Sequence, residues 1–271
     1  MFNQKHKVRR MVKAWSVEWP EGLLPGEADW EEIAGHLVDA RNDILVTNEM
    51  PFGFWQPTKR PFDIDAAREW ASLHERALDS LSRLPVAAVI SSRPVLSGNR
   101  LVNEGFVLTE GRYEFTHQKH YFPSEPGWEE EAWFELQRPG FDVVKVAGLT
   151  VGVLLCTELM FVEKARHLGK LGADLIAVPR ATGTDHRLWK TAASMAGIAS
   201  GACIVSSNRA GNRSGSSLVF GGGGFTVDAD GFEIASTSPE NPAIALEIDT
   251  AITSAAKGRY PVYVKEPHLA S

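Results

Sequence analysis

The stretch FDVVKVAGLTVGVLLCTELMFVEKARHLGKLGADLIAVP, residues 141–179, carries a hairpin, a sharp turn, a helix and a further strand in one run. Its first part reads as two antiparallel strands turning at Ala147 and Gly148. The second strand, LTVGVLLC, is almost continuously apolar, as a strand buried on both faces must be, and is far shorter than the ~20 residues that span a bilayer. After Cys156 the apolar spacing becomes that of a helix over TELMFVEKARHLGKLG, with Gly172 as its natural stop. LIAVP then returns as a buried strand. A hairpin feeding a strand–helix–strand crossover predicts a mixed sheet with a helix on its outer face.

The same alternation extends in both directions. Toward the N-terminus it predicts a strand at Met11–Trp15, a helix over Trp30–Arg41, a strand DILVTNEM ending at Glu49, and an amphipathic helix over Asp63–Leu84. In that helix Trp70, Leu73, Ala77, Leu81 and Leu84 recur at three and four residues, a stripe that must face a sheet. VAAVIS (Val86–Ser91) reads as a buried strand, and GFVLTEGRYEFTH as a hairpin turning at Glu110–Gly111 that delivers Lys119. Toward the C-terminus follow a helix over Leu188–Ser200, a strand ACIVSS, and a hairpin turning at Asp230–Gly231. The pattern predicts an α/β protein with helices outside paired sheets, and leaves the number of layers open.

No fixed-period repeat, low-complexity tail or long linker divides the chain, so one domain covering residues 1–271 is expected. The 271 residues are 44% hydrophobic and 23% charged, enough apolar material for a sizeable core. A net charge of -6 argues against a surface that tracks phosphates. The expected partner is a small molecule, with neither nucleic acid nor membrane. With only two cysteines, Cys156 and Cys203, there is no disulfide framework. The basic N-terminal MFNQKHKVRR lacks the apolar core of an export signal, which points to the cytoplasm.

Cys156 falls where an apolar strand gives way to a helix. A thiol there meets the free N–H groups of a helix start, which lower its pKa and can hold an oxyanion. On this feature alone an inert core thiol is the competing reading, and Cys203, within ACIVSS, keeps it.

Three segments change the balance: NEMPF at 48–52, HQKHYFP at 117–123 and GVLLCTELMFVEKAR at 152–166. Together with GADLIAVPRATG and SSNRAG downstream, they resemble the carbon-nitrogen hydrolase (nitrilase-like) family, over roughly residues 10–265. The resemblance implies a four-layer α-β-β-α sandwich of two mixed sheets flanked by helices. It also implies a triad of Cys156 as nucleophile, Lys119 as oxyanion partner and Glu49 as proton carrier, with the backbone N–H of Thr157 as second oxyanion donor. A further glutamate is expected between lysine and cysteine. An E-x-x-x-F match to Phe134 selects Glu130, over Glu131 and, by distance to Gly140, Glu135. The C-terminal tail, about residues 250–271, is expected in subunit contacts of a homodimer or higher homo-oligomer.

This sequence departs from the family pattern at Asn48, Thr157 and His120, none of which removes a catalytic atom. Leu159 and Met160 stand where relatives acting on N-carbamoyl-D-amino acids place arginines for a carboxylate, so an uncharged substrate end is expected. Trp55, Tyr121, Trp128, Trp133 and Arg180 are candidates to line the pocket, against packing as their alternative role. FGGGGF at 220–225 lacks the context of a nucleotide loop. His117 and His120 match no zinc motif, so no metal and no cofactor is expected. RSGSSLVFGGGG faintly resembles the serine-rich segment of serine-dependent amidases, which would move the nucleophile to Ser216 or Ser217, but it lacks the partner lysine motif. The leading expectation is thiol-dependent hydrolysis of a small amide. A nitrilase, an N-carbamoyl hydrolase and a catalytically silent binder are the alternatives.

Overall fold

The computed structural model describes residues 10–58, 60–212, 215 and 218–265. In chain order the elements are β1 (Met11–Val17), β2 (Trp19–Pro20), α1 (Ala28–His36), β3 (Ile44–Val46), α2 (Ile64–Ser82), β4 (Ala88–Ser97), β5 (Arg100–Thr109), β6 (Arg112–Gln118) and α3 (Glu130–Trp133). They continue with β7 (Val143–Val146), β8 (Leu149–Val153), α4 (Val162–Lys170), β9 (Leu175–Arg180), α5 (Arg187–Ser200), β10 (Cys203–Gly211), β11 (Phe220–Gly221), β12 (Phe225–Val227), β13 (Glu233–Ser236), β14 (Ala243–Asp249) and α6 (Thr250–Lys257).

Turn chemistry sets the local order. Glu110 and Gly111 at φ +51° and +76°, and Ala147 and Gly148 at φ +47° and +86°, are successive left-handed residues, the geometry that joins twisted antiparallel strands. They close the β5–β6 and β7–β8 hairpins. Helix α2 starts where the Asp63 side chain accepts from the backbone N–H of Asp65 and Ala66. Gly172, at φ +89°, follows α4 closely.

Two sheets result. The first runs β14-β1-β3-β4-β5-β6 and the second β13-β12-β10-β9-β8-β7, with β2 and β11 also paired to β10. Each mixes parallel neighbours, such as β3 with β4 and β8 with β9, with hairpins. The layering follows from strand alternation. Ile44 and Val46 enter a core with Val151, Leu175 and Ala177 between the sheets, whereas Leu45 enters a second core with Trp30, Ile33, Ala77 and Leu81 of α1 and α2. On the other side Ile176 and Val178 pack with Ala165 and Leu168 of α4 and Ala193 and Ala196 of α5. Helix, sheet, sheet, helix is therefore the order of layers, as the resemblance implied. Among the described residues no helix is long and apolar enough to cross a membrane.

Several boundaries differ from the sequence reading. The first helix ends at His36, short of Arg41, and the strand leading to Glu49 ends at Val46. The helix after Cys156 begins as a single 3-10 turn, Cys156–Met160, before α4 starts at Val162. Strand β14 was not anticipated. It pairs antiparallel with β1 from Met11↔Asp249 to Val17↔Ala243 and closes the first sheet. Of the tail expected in subunit contacts, Thr250–Lys257 forms α6, which lies on its own chain through the Thr253 hydroxyl donating to Asp174 at 2.7 Å. Ser216 and Ser217, the weaker nucleophile candidates, lie outside the described residues.

Two glycines in helices test the packing in opposite directions. A Cβ on Gly169 of α4 would sit 2.4 Å from the Ser200 carbonyl oxygen and 2.5 Å from its Cα, whereas one on Gly35 of α1 meets nothing within 4 Å. Gly169→Ala should lower unfolding stability by about 1–3 kcal/mol through overpacking. Gly35→Ala should raise it by about 0.5–1 kcal/mol through helix propensity. Urea midpoints of the two variants against the parent check both signs.

Candidate active site

The chemistry-bearing residues sit at the ends of strands in both sheets. Beyond β3, the Glu49 N–H donates to the Arg180 carbonyl at 3.1 Å, and Met50 turns the chain at φ +48°. Arg209 of β10 buttresses this turn, donating to the carbonyl oxygens of Met50 and Gly53 and pairing with buried Glu21. Glu49 is fully buried and its Oε1 accepts from Asn103 Nδ2 and Lys119 Nζ, each at 2.8 Å. Lys119 follows β6 directly, with its N–H donating to the Asn103 carbonyl at 2.9 Å. Its ammonium, also fully buried, reaches Glu130 Oε2 at 2.5 Å. Of the three glutamates weighed from the sequence, Glu130 is thus the one that meets the lysine. Glu131 pairs with exposed Arg60, and Glu135 accepts from Gln137.

Cys156 arrives from the second sheet, past the end of β8, with φ +50°. A left-handed conformation at a non-glycine residue is strained, and the surrounding packing must hold it. The cysteine is 3% exposed and forms part of the floor of a cleft of about 280 Å³ together with Glu130 and Thr157. Thr157 lies in the first turn after Cys156, where backbone N–H groups lack intrahelical partners. The charges of Glu49, Lys119 and Glu130 all act on the sulfur, and the Ala181 backbone hydrogen-bonds to it. The structure therefore brings Glu49, Lys119, Glu130, Cys156 and Thr157 to one place.

Electrostatics correct one expectation. A helix start was expected to lower the thiol pKa, but burial pushes the Cys156 thiol well above its ordinary value, and the negative charge of Glu49 pushes it further against the pull of Lys119. One 3-10 turn contributes too little dipole to reverse that. Burial would also strip Lys119 of its proton, yet Glu130 and Glu49 outweigh it and hold the ammonium above the usual lysine value. Burial raises the Glu130 carboxyl, against the pull of Lys119 and with a further push from Glu49. The arrangement at rest is therefore a neutral thiol beside an ammonium, with the hold of Glu130 on a proton strengthened by its burial. Glu49 Oε2 and Glu130 Oε1 are buried without a hydrogen-bond partner among the described residues.

The cleft walls differ from those expected. Trp128 lines it, half-buried, with its indole N–H on the Ala181 carbonyl at 3.0 Å, and so do Trp189, Met160 and Leu188. Trp55, Tyr121, Trp133 and Arg180 do not line it, because each is engaged elsewhere. Trp55 packs edge-on to Trp70, and fully buried Trp133 packs edge-on to Phe62. Tyr121 stacks on Phe161 with ring centres 3.8 Å apart. Arg180 is buried with its guanidinium on Ser206, Thr182 and the Gly223 carbonyl, and burial lowers its pKa to about 10. Sequence reasoning missed Asn103 and Arg209, which signal themselves only as polar residues inside apolar strands. Among the described residues no group of three or more His, Cys, Asp or Glu could hold a metal ion.

The model of the family described as carbon-nitrogen hydrolase matches residues 39–257, a span that takes in the whole cluster. The chain belongs to the carbon-nitrogen hydrolase family. Enzymes of that family act on C–N bonds. A glutamine-dependent NAD(+) synthetase of Xanthomonas campestris pv. campestris (strain 8004) is 34% identical over 224 residues, 79% of this chain and 39% of that one. The chain thus spans about two fifths of the length of that relative, and about a quarter of two from Xylella fastidiosa, at 26%. Among solved structures, a carbon-nitrogen hydrolase from Helicobacter pylori G27 superposes with a TM-score of 0.79 at 20% identity, covering 94% of both chains. An amidase from Nesterenkonia sp. AN1, with an acetamide moiety added covalently at its active-site cysteine, gives 0.74 at 19% identity, covering 92% of this chain and 94% of that one. These structures share the fold.

Because the free thiol is held protonated, alkylation of Cys156 by iodoacetamide should be slow at neutral pH. It should climb as pH rises into the alkaline range, with no plateau near neutrality. A pH–rate profile read by mass spectrometry of the Cys156 peptide checks this, and a plateau below pH ~8 would contradict the raised thiol pKa.

Proposed function

We propose that this carbon-nitrogen hydrolase cleaves a small primary amide through a thioester on Cys156, releasing ammonia. One observation carries the reading: a buried carboxylate and a buried ammonium, 2.8 Å apart, beside a thiol on the floor of a cleft. Glu49, with Oε2 unengaged, takes the thiol proton as sulfur attacks the carbonyl carbon. The negative charge moves to the carbonyl oxygen. Lys119 has three N–H donors, of which two go to Glu49 and Glu130, so the third is available to that oxyanion together with the Thr157 N–H. An ammonium and an oxyanion ~4 Å apart attract by ~4 kcal/mol at an effective dielectric near 20.

As the C–N bond breaks, Glu49 passes its proton to the departing nitrogen, and ammonia leaves an acyl group on sulfur. Water then gives a proton to Glu49 and its oxygen to the acyl carbon. The sulfur departs and regains the proton, which releases the carboxylic acid. Relatives named for amide chemistry, a glutamine-dependent synthetase and N-carbamoylputrescine amidases such as that of Solanum tuberosum, support an amide over a nitrile.

The cleft also favours an uncharged, apolar acyl group. Trp128, Trp189, Met160 and Leu188 form its walls, and the charged side chains among the described lining residues are carboxylates, Glu125 and Asp185 at the rim and Glu130 below. A substrate carboxylate would meet like charge there without a cation to pair with.

Cys156→Ala should abolish ammonia release in a fold that melts like the parent. Against a panel of matched amides, amides bearing a distal carboxylate, and nitriles, the apolar amides should lead the carboxylate analogues by at least about tenfold in kcat/KM, ~1.4 kcal/mol. Full activity in Cys156→Ala, or a preference for the nitriles, overturns the reading.

A further inference from the structure

Two residues past the nucleophile, Glu158 is fully buried, and its hydrogen bonds run to groups outside the Glu49–Lys119–Glu130 cluster. Its carboxylate collects three N–H donors instead. Oε2 accepts from the Leu155 backbone at 2.8 Å and from His117 Nε2 at 2.7 Å, and Oε1 accepts from the His120 backbone at 2.7 Å. Leu155 precedes Cys156, while His117 and His120 bracket Lys119. One carboxylate therefore ties the turn that carries the sulfur, on the second sheet, to the strand end that carries the ammonium, on the first.

The tie is directional. The Phe141 N–H donates to His117 Nδ1 at 3.2 Å, so that nitrogen is an acceptor and Nε2 must be the donor toward Glu158. Gly140 is shaped for this arrangement, since a Cβ there would sit 2.1 Å from His117 Nδ1. The imidazole cannot exchange donor for acceptor at Nε2 without facing Nδ1–H against the Phe141 N–H. Three converging donors, one of them locked, leave room for an acceptor-only group at position 158. The strained φ of Cys156 gives such a restraint something to hold.

We propose that Glu158 is a positioning residue that fixes the separation between the Cys156 sulfur and the Lys119 ammonium. This rests on the thioester reading above, in which that separation decides how well the ammonium meets the oxyanion. Sub-ångström misplacement of reacting groups costs rate far more than affinity.

The test compares Glu158→Gln and Glu158→Asp with the parent enzyme. Glutamine keeps the shape but turns an –NH₂ toward at least one of the three donors. Aspartate keeps an acceptor-only group one methylene shorter. Glu158→Gln should lose about 100-fold in kcat on the best amide with KM little changed, and Glu158→Asp should recover part of that loss. Alkylation of Cys156 by iodoacetamide should slow in Glu158→Gln, because the sulfur loses the field of Lys119, while Cys203 reacts as in the parent. A merely structural role predicts the reverse: loosened packing, faster alkylation at both cysteines, and an activity loss that tracks the melted fraction. That result, or a kcat in folded Glu158→Gln within about threefold of the parent, overturns the proposal. Should Glu158→Gln fail to fold, Glu158→Asp and His117→Phe, which removes one donor, decide by the same readouts. If the parent releases no ammonia from any amide, the thioester reading fails by itself, and the alkylation rates still report on the tie.

Discussion

An ammonium buried between two glutamate side chains is the interaction on which the rest of the molecule is arranged. Burying charge is costly unless every partner is in place, and an incomplete set is worse than none. Lys119 therefore requires the end of β3 for Glu49, the end of β6 for itself and the short helix α3 for Glu130, all in register. Much of the polar interior serves that requirement. Asn103 occupies the second site on Glu49 Oε1, and Arg209 spends its donors on the carbonyls of the Met50 turn.

The same cluster explains why a buried, protonated thiol is compatible with nucleophilic chemistry. A thiolate in the resting state would face Glu49 at close range, and two buried negative charges side by side are unfavourable. In the proposed mechanism, keeping the proton on sulfur until a carbonyl arrives lets negative charge travel outward onto oxygen, toward Lys119, as Glu49 becomes neutral. A protonated thiol also resists adventitious oxidation and alkylation, which need the thiolate.

How much of this was legible in the sequence depends on the range of the interaction concerned. The turns at Glu110–Gly111 and Ala147–Gly148 follow from local chemistry, and the helical stripe of α2 from its spacing. Strand β14 rests on pairing with β1 across more than two hundred residues of chain, which no window contains. The cluster was reachable because three motifs, each weak by itself, occur in one order, and the E-x-x-x-F spacing picked Glu130. The pocket walls were not. Residue type suggested Arg180, but alternation beyond β9 puts its neighbour Ala181 at the cleft and turns Arg180 into the protein. Likewise Trp128 faces the cleft, and Trp133, one short helix later, completes a core. Orientation of a large side chain is settled by tertiary packing, as is the burial that raises the Cys156 thiol.

The sulfur rides on one sheet and the carboxylate and ammonium on the other, so the active centre is a seam whose width is set by the aliphatic layer between them. Ile44, Val46, Val151 and Leu175, all buried between the sheets, act as shims in that seam. Exchanging one for a larger or smaller neighbour changes a gap before it changes a fold, which makes interior volume a determinant of how the cluster is aligned. Loops above the cleft are free of that restriction. The architecture thus separates the surface that chooses a substrate from the filling that keeps the reaction in alignment, and the two can diverge independently.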